Sequence, residues 1–333
     1  MLNENKIAIV TGGAGFIGSH AVDLLLEKGY FVKVIDNLAG GHLDNIKHNL
    51  ENKNFIFKNA DINTIDPMDS IFNKCSIIIH FAGLGDIVPS IERPINYMQT
   101  NVMGTINVLE AARMNKIKRF VYAASSSCYG LASTPTNEDH IIQPMYPYAL
   151  SKYQGEQAVF HWKNVYGLSV NSIRIFNAYG TRVKTTGAYG AVFGVFFKQK
   201  LENKPLTIVG DGSQSRDFVY VTDVASAFVL AAESETDGEI YNLGSNNPQS
   251  INKLADMIGG TKIYLPKRPG EPDCTWANTK KINSKLNWYP NISFEEGVGK
   301  MLKGINNWSN APLWETKSIE KATRTWFKYM GKN

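Results

Sequence analysis

The sequence predicts an α/β fold, a doubly wound parallel sheet with a smaller α/β lobe, and three observations carry that prediction. Short β-branched runs alternate with stretches of helical spacing through the first half of the chain. A glycine-rich turn lies directly between the first such run and the first helical stretch. Past residue 177 the pattern changes to short strands, Gly-rich turns and scattered helices, as in GDGSQSRDF and PKRPGEPD.

Taken in order, Lys6 to Val10 is an apolar run, Phe16 to Lys28 has helical spacing, and Phe31 to Ile35 is a second run ending at Asp36. Together they form a βαβ unit. Buried-strand runs follow at Phe55 to Phe57, Ile77 to His80, Phe120 to Ala123 and Ser169 to Ile175, with helical stretches at Ile95 to Met114 and Ala149 to Tyr166. Such alternation builds a parallel sheet covered on both faces. The tail Lys317 to Met330 places Ile319, Ala322, Thr323, Trp326, Phe327 and Met330 on one face. A docked helix is expected there, since the face is too short and weakly basic for a membrane surface.

The 333 residues fit two lobes at about 150 residues per domain and exclude a disulfide-stapled miniature protein. The 35 basic and 30 acidic residues are spread along the chain without a dense stripe, which argues against a nucleic-acid partner. Cys75, Cys128 and Cys274 form no C-x-x-C pair and lie near no histidine cluster, so neither a disulfide framework nor a metal site is expected. The longest apolar stretch, residues 188 to 197, contains two glycines and is far shorter than the roughly 20 residues of a membrane span. The start MLNENK has no signal-peptide core, so a cytoplasmic location is expected.

TGGAGFIGSH spaces Gly12, Gly15 and Gly18 as G-x-x-G-x-x-G after the first strand and at the mouth of the first helix. Glycines there allow a tight turn, close backbone approach to a pyrophosphate and close packing of helix on strand, while the helix N-terminus favours the anion. Asp36 ends the second strand, where a carboxylate accepts the ribose hydroxyls of NAD. Asn37, Leu38 and Ala39 include no arginine for a 2′-phosphate, so NAD is expected over NADP. These are the marks of a Rossmann-type domain, expected over residues 1–176 with later segments free to return to it. Residues 177–333 would then form mainly the substrate lobe and C-terminal helix. Asp61, followed by Ile62, is placed either to accept from the adenine amine or to cap the next helix.

Tyr148 and Lys152 are one helical turn apart. An ammonium beside a phenol favours the phenolate, which suits Tyr148 to act as a general base toward a sugar hydroxyl. The strand before it ends in AASSSCYG, bringing Ser125, Ser126 and Ser127 to the carboxyl edge of the sheet, where open α/β sheets place their ligands.

These stretches, with HFAG at 80 to 83, NVMGTINVLEAAR, YPYALSKYQGE, RIFNAYGTR, GDGSQSRDFVYVTDVASA, RPGEPD and LNWYPNISFEEGV, span nearly the whole chain. In combination they resemble the extended short-chain dehydrogenase/reductase family and, within it, the NAD-dependent nucleotide-sugar epimerases of the UDP-glucose 4-epimerase type. The resemblance implies that Tyr148 is the catalytic base, that Lys152 holds the nicotinamide ribose and tunes the tyrosine, and that Ser125 hydrogen-bonds the reacting oxygen, with Ser126 and Ser127 beside it. It implies further cofactor contacts at Phe16, Ile17, Asn37, Ile62, Phe81, Ala82 and Asn101. Asn177, Arg216 and Arg268 would contact the sugar-nucleotide diphosphate; otherwise the arginines pair on the surface with Asp217 or Glu271. Thr275, before Trp276 and Ala277, stands where related chains are bulky when N-acetylated sugars are excluded, so both UDP-hexoses and UDP-N-acetylhexosamines are expected as substrates; the other placement of Thr275 is on a solvated strand. A homodimer through Ile95 to Met114 and Ala149 to Tyr166 is also implied.

In the 4,6-dehydratases of this fold the stretch matching Ser125 to Ser127 reads Thr-Asp-Glu, because eliminating water needs an extra carboxyl acid and base. This chain has hydroxyls only, so redox-neutral epimerisation at C4 through a transient 4-keto sugar is the expected reaction. Epimerisation at another carbon, UDP-glucuronate epimerisation or decarboxylation, a ketoreductase and a non-catalytic NAD sensor are the alternatives. HFAGLGDIVPS departs from the usual HLAA pattern and leaves the sugar identity open.

Overall fold

The structure is a computed structural model that describes residues 6–185 and 192–330. The first five residues of MLNENK and positions 188–191 of the apolar stretch lie outside the described residues.

The expected βαβ start is present as β1 (Ile7–Thr11), α1 (Phe16–Glu27) and β2 (Phe31–Asp36), followed by β3 (Phe55–Asn59) and β4 (Ile77–His80). Next come α2 (Ile87–Glu92), α3 (Pro94–Met98) and α4 (Thr105–Met114), then β5 (Arg119–Ser125), α5 (Pro147–Tyr166) and β6 (Ser169–Ile175). The expected continuous helix Ile95 to Met114 is therefore divided. A π-helical turn at Gln99–Gly104 separates α3 from α4. There Asn101 is fully buried, and Gly104 lies so close to Ile62 that a Cβ on it would come within 2.7 Å of that side chain.

Beyond β6 lie β7 (Asn177–Tyr179), α6 (Val192–Leu201), β8 (Leu206–Val209), β9 (Ser215–Arg216), β10 (Phe218–Tyr220), α7 (Val221–Glu233) and β11 (Glu239–Leu243). The chain continues through β12 (Gln249–Ser250), α8 (Ile251–Ile258), β13 (Lys262–Leu265), α9 (Lys280–Leu286), α10 (Phe294–Lys303) and α11 (Thr316–Met330). The central sheet has seven strands in the order β11-β6-β5-β4-β1-β2-β3, all parallel. Its outer strand β11 comes from the later half of the chain and pairs with β6. Helix α7 packs on α1 on one face, around Val22, Leu25 and Phe228. On the other face α4 and α5 cover Phe120 and Tyr122 with Val108, Leu109 and Val159.

The register places Thr11 opposite both Ile35 and His80, and Ser125 opposite Ile175. Strand ends, and so the loops that follow them, are thereby aligned along one edge of the sheet. The smaller lobe, with the two-stranded pairs β7–β10, β8–β13 and β9–β12, faces that edge around an aromatic core of Phe193, Phe197, Phe218, Phe294 and Trp308.

In α11 the buried stripe is Ile319, Thr323, Trp326 and Met330, a spacing of four, three and four. Ala322 is half-buried and Phe327 is exposed, so the face is narrower than expected: Phe327 sits one residue, about 100° of helix, from Trp326. Among the described residues no helix is long and apolar enough to cross a membrane.

Candidate active site

At the glycine turn three segments meet. Gly12 has φ +69°, and a Cβ on it would lie 2.7 Å from the backbone nitrogen of Ala82. A Cβ on Gly18 would lie 2.2 Å from the Gly12 carbonyl oxygen, so α1 can approach β1 only without side chains here. Phe16 and Ile17 open α1, and Phe81, whose ring is tilted against that of Phe228 with centroids 4.5 Å apart, precedes Ala82 on the opposite wall. Asp36 is buried at the end of β2, and its carboxylate accepts from the Ala14 N–H at 3.0 Å and the Leu38 N–H at 2.8 Å. Burial raises its pKa, and these two donors pull it back.

Asn37 donates to Asp61 at 3.0 Å, and Asp61 also accepts from the Asn63 backbone N–H at 2.8 Å. Asp61 thus heads a turn that carries the buried Ile62, and does not cap a helix. The cation that the fold brings to this loop is Lys184, which donates to the Ala39 carbonyl at 3.2 Å. Nothing in the local sequence pairs residue 184 with residue 39.

Ser125 ends β5, and its hydroxyl lies 2.8 Å from that of Ser127, inside the 3-10 turn Ser126–Tyr129. Pro147 opens α5 at a position where its missing N–H costs nothing, so Tyr148 and Lys152 stand on the first turns of a helix aimed at the sheet edge. Ser125 beside the Tyr148 phenol favours its ionised form, yet burial holds its pKa above the ordinary value. The expectation that Lys152 lowers the phenol is corrected here. The Lys152 ammonium is itself buried, lies 4.4 Å over the Tyr122 ring, and is pulled down from 10.5 to about 7 by desolvation, with only the Glu156 charge opposing. Among the described residues it makes no hydrogen bond.

His80 is fully buried between Thr11 and Thr105, at 2.7 and 3.0 Å. Thr105 gives its own proton to the Asn101 carbonyl, so His80 donates from Nε2 and accepts from Thr11 at Nδ1. Burial pushes its pKa down to about 3, and it stays neutral. The Asn101 amide is spent inside the protein, on both backbone groups of Leu84 and on the Ser151 hydroxyl. It fixes the segment after β4 to α5.

A cleft of about 560 Å³ runs between the lobes and is lined by Phe16, Ile17, Ser125, Tyr148, Asn177, Arg216, Arg268 and Glu271. The two arginines converge on one carboxylate: Arg216 lies 2.8 Å and Arg268 3.9 Å from Glu271. Arg216 also donates to the Pro272 carbonyl at 2.9 Å. Asp217 is not their partner. It is fully buried and accepts from the backbone of Ser245 and Ala277 and from the Ser245 hydroxyl. Thr275 is not on a solvated strand; its hydroxyl donates to the Asn177 side chain at 2.7 Å from behind the cleft wall. Glu271 is the partner that the sequence offered for the arginines as an alternative to Asp217, here lining the cleft, whereas Tyr146, whose ring lies parallel to that of Tyr148 at 6.5 Å, stands in no local pattern. A signal for Glu271 was present in its spacing of three from Arg268.

A glycine turn on a parallel sheet, an acidic strand end, and a Ser, Tyr and Lys set on one cleft define an extended short-chain dehydrogenase/reductase. Within that class the chain belongs to the family described as GDP-mannose 4,6 dehydratase, whose model matches residues 9–301. The chain is 39% identical over 308 residues to a putative UDP-glucose 4-epimerase of Methanocaldococcus jannaschii, covering 90% of this chain and 98% of that one. It is 35% identical over 327 residues to a UDP-glucuronate 4-epimerase of Thermodesulfobacterium geofontis, covering 94% and 98%. Among solved structures it resembles UDP-glucuronic acid 4-epimerase from Bacillus cereus in complex with UDP-glucuronic acid and NAD, with TM-score 0.84, 32% identity and coverage of 90% and 99%. It also resembles UDP-N-acetylglucosamine 4-epimerase from Methanobrevibacter ruminantium, with TM-score 0.86, 31% identity and coverage of 91% and 99%.

Proposed function

We propose that this chain is an NAD-dependent epimerase that inverts C4 of a UDP-sugar, a UDP-hexose or UDP-N-acetylhexosamine. The observation that carries this reading is one cleft lined by both Ser125 and Tyr148 and by Arg216 and Arg268. The residues fit NAD: the Gly12, Gly15 and Gly18 cradle excludes side chains, Asp36 presents an oriented carboxylate, and Lys152 carries an ammonium without a hydrogen-bond partner among the described residues. Gly12, Gly15, Phe16, Ile17 and Gly18 would hold the diphosphate, Asp36 and Asn37 the adenosine ribose, Asp61 and Ile62 the adenine, Phe81 and Ala82 the facing wall, and Lys152 the nicotinamide ribose. Asn101 acts behind them by fixing the Leu84 segment. Bound NAD supplies the hydride acceptor and donor at the sugar carbon.

Ser125 orients the C4 hydroxyl, with Ser126 and Ser127 beside it, and Tyr148 takes its proton, a contribution of about 10² to 10⁴ in rate. The raised phenol pKa means that this transfer depends on charge brought in by ligands, which places the base in action only in the assembled complex. Asn177 meets the diphosphate, and Arg216 and Arg268 trade part of their pairing with Glu271 for it. The sugar, tethered at that end, is then free to present its other face to the same tyrosine. Dehydration is disfavoured because Ser125 to Ser127 offer hydroxyls where it needs an extra carboxyl acid and base, and the cleft-lining Glu271 faces the arginines. A cytoplasmic homodimer is part of this proposal; exposed Ile95, Met103, Leu150 and Val165 on α3 to α5 support a second copy packing there.

The test is product identification by NMR after incubation with UDP-glucose, UDP-N-acetylglucosamine and UDP-glucuronate without added cofactor. Interconversion of gluco and galacto forms of the neutral sugars without net NADH is expected, with activity reduced at least a hundredfold in Tyr148→Phe. A 4-keto-6-deoxy product or net cofactor reduction would overturn the reading.

A further inference from the structure

The family match ends at residue 301, and α11 lies beyond it. This helix touches three segments that flank the cleft. The buried Trp326 indole donates to the Pro269 carbonyl at 2.8 Å, and the Met330 methyl rests on Gly270, 3.5 Å from where a Cβ would stand. The Trp326 ring also lies 5.9 Å from that of Tyr146, which is parallel to Tyr148. Thr325 donates to Glu92 of α2 at 3.2 Å, the helix whose start follows the cleft residue Gly85.

The segment it grips carries Arg268 and Glu271. From the cleft side that segment is held by Arg216, through the Pro272 carbonyl and the Glu271 carboxylate. Under the proposed function, on which this inference rests, a nucleotide diphosphate competes with Glu271 for Arg216 and Arg268. The inner anchor therefore weakens as ligand binds, while the outer anchor at Pro269 and Gly270 does not involve any group the ligand uses. Gly270, at φ +69°, is free to adopt other backbone shapes, and an unanchored loop would have to be ordered at the expense of binding free energy.

We infer that α11 is a clasp: Trp326 is a positioning residue that holds the Arg268–Glu271 loop in its binding-competent place while the nucleotide diphosphate displaces Glu271. Such a role lies in nucleotide affinity and not in the proton and hydride steps at the other end of the cleft.

The experiment uses the full chain with its co-purified cofactor. UDP affinity is measured by calorimetry, alongside KM and kcat for the UDP-sugar, NAD content and circular dichroism, in wild type, Trp326→Ala and Trp326→Phe. Trp326→Ala is expected to weaken UDP binding about tenfold and raise KM in step, with kcat within about twofold and NAD content unchanged. Trp326→Phe keeps the ring beside Tyr146 and loses only the bond to Pro269, so a roughly threefold loss is expected. Folded variants with wild-type UDP affinity, or with reduced kcat at unchanged KM, overturn the clasp; if Trp326→Ala does not fold, Trp326→Phe decides by the same criteria. A wild type that neither binds UDP nor converts UDP-sugars would instead overturn the proposed function.

Discussion

The Thr275 hydroxyl donates to Asn177 Oδ1 across 2.7 Å, and only Asn177 of the two faces the cleft. Thr275 also accepts from the Asp217 backbone N–H at 3.3 Å, so its half-buried side chain is tied between the start of β7 and the link from β9 to β10. Its effect on the sugar is therefore transmitted through Asn177. A tyrosine at 275 cannot occupy this space without pushing Asn177 into the cleft, where an acetamido group has more to lose than a hydroxyl. In Thr275→Tyr the kcat/KM for UDP-N-acetylglucosamine should fall about tenfold or more relative to UDP-glucose. Equal ratios in both proteins would show that Thr275 has no bearing on sugar choice.

Asp36 holds its carboxylate with two backbone N–H donors, leaving it oriented and charged at the sheet edge. A 2′-phosphate beside it would meet repulsion, offset only in part by the exposed Lys184 near Ala39. Asp36→Ala should lose NAD during purification and bind it at least about tenfold more weakly, with discrimination against NADP shrinking. Titration of both cofactors into the cofactor-stripped variant measures this; unchanged NAD affinity would remove Asp36 from the cofactor site.

Asp86 lies between the cleft residues Gly85 and Ile87, near enough to Tyr148 for its charge to raise the phenol pKa. A sugar bearing a carboxylate would meet this second negative charge. The arginines lining the cleft lie at its far end, already facing Glu271. Asp86→Asn should therefore raise kcat/KM for UDP-glucuronate relative to UDP-glucose by about threefold to tenfold at low salt, with less effect at high salt. Competition assays at two ionic strengths check it, and a ratio indifferent to the substitution would place the Asp86 charge outside the sugar site.

The sheet was legible because period and punctuation agree: each β-branched run between turn residues became a strand, with ends shifted by a residue or two. The strand Glu239–Leu243 was not singled out, since its place beside β6 depends on a pairing nearly seventy residues away. The same limit applies to the site. Gly12, Asp36, Ser125, Tyr148 and Lys152 stand in local patterns with known chemistry. The buried pair of Arg174 with Glu156, at 2.6 Å, and the link from Arg174 to Tyr129 and on to Asn242 join four separate segments that no local pattern connects. The direction of the Tyr148 shift is hidden from the sequence for a related reason. Spacing places Lys152 one turn from the tyrosine but does not reveal that the fold desolvates both, which raises the phenol, with Ser125 and not the ammonium opposing, and lowers the ammonium.

That burial gives Lys152 a measurable signature. Its ammonium is worse off in the fold than in the unfolded chain, with the pKa lowered from 10.5 to about 7. Between those values the unfolded chain binds more protons than the folded one, so the contribution of Lys152 to stability rises with pH across that window and is most unfavourable below it. Lys152→Met keeps the apolar stem over Tyr122 and removes the buried charge. At about pH 6.5 the cofactor-free variant should be more stable than cofactor-free wild type by on the order of 2 to 4 kcal/mol, and the gap should close as pH approaches about 10. Urea unfolding of both proteins across this range measures the gap directly. A difference that is the same at both ends would mean that Lys152 is not buried as a cation, and with it would go the case that the ammonium is held for a ligand, because only an ion stripped of water gains strongly from the hydroxyls of a bound ribose.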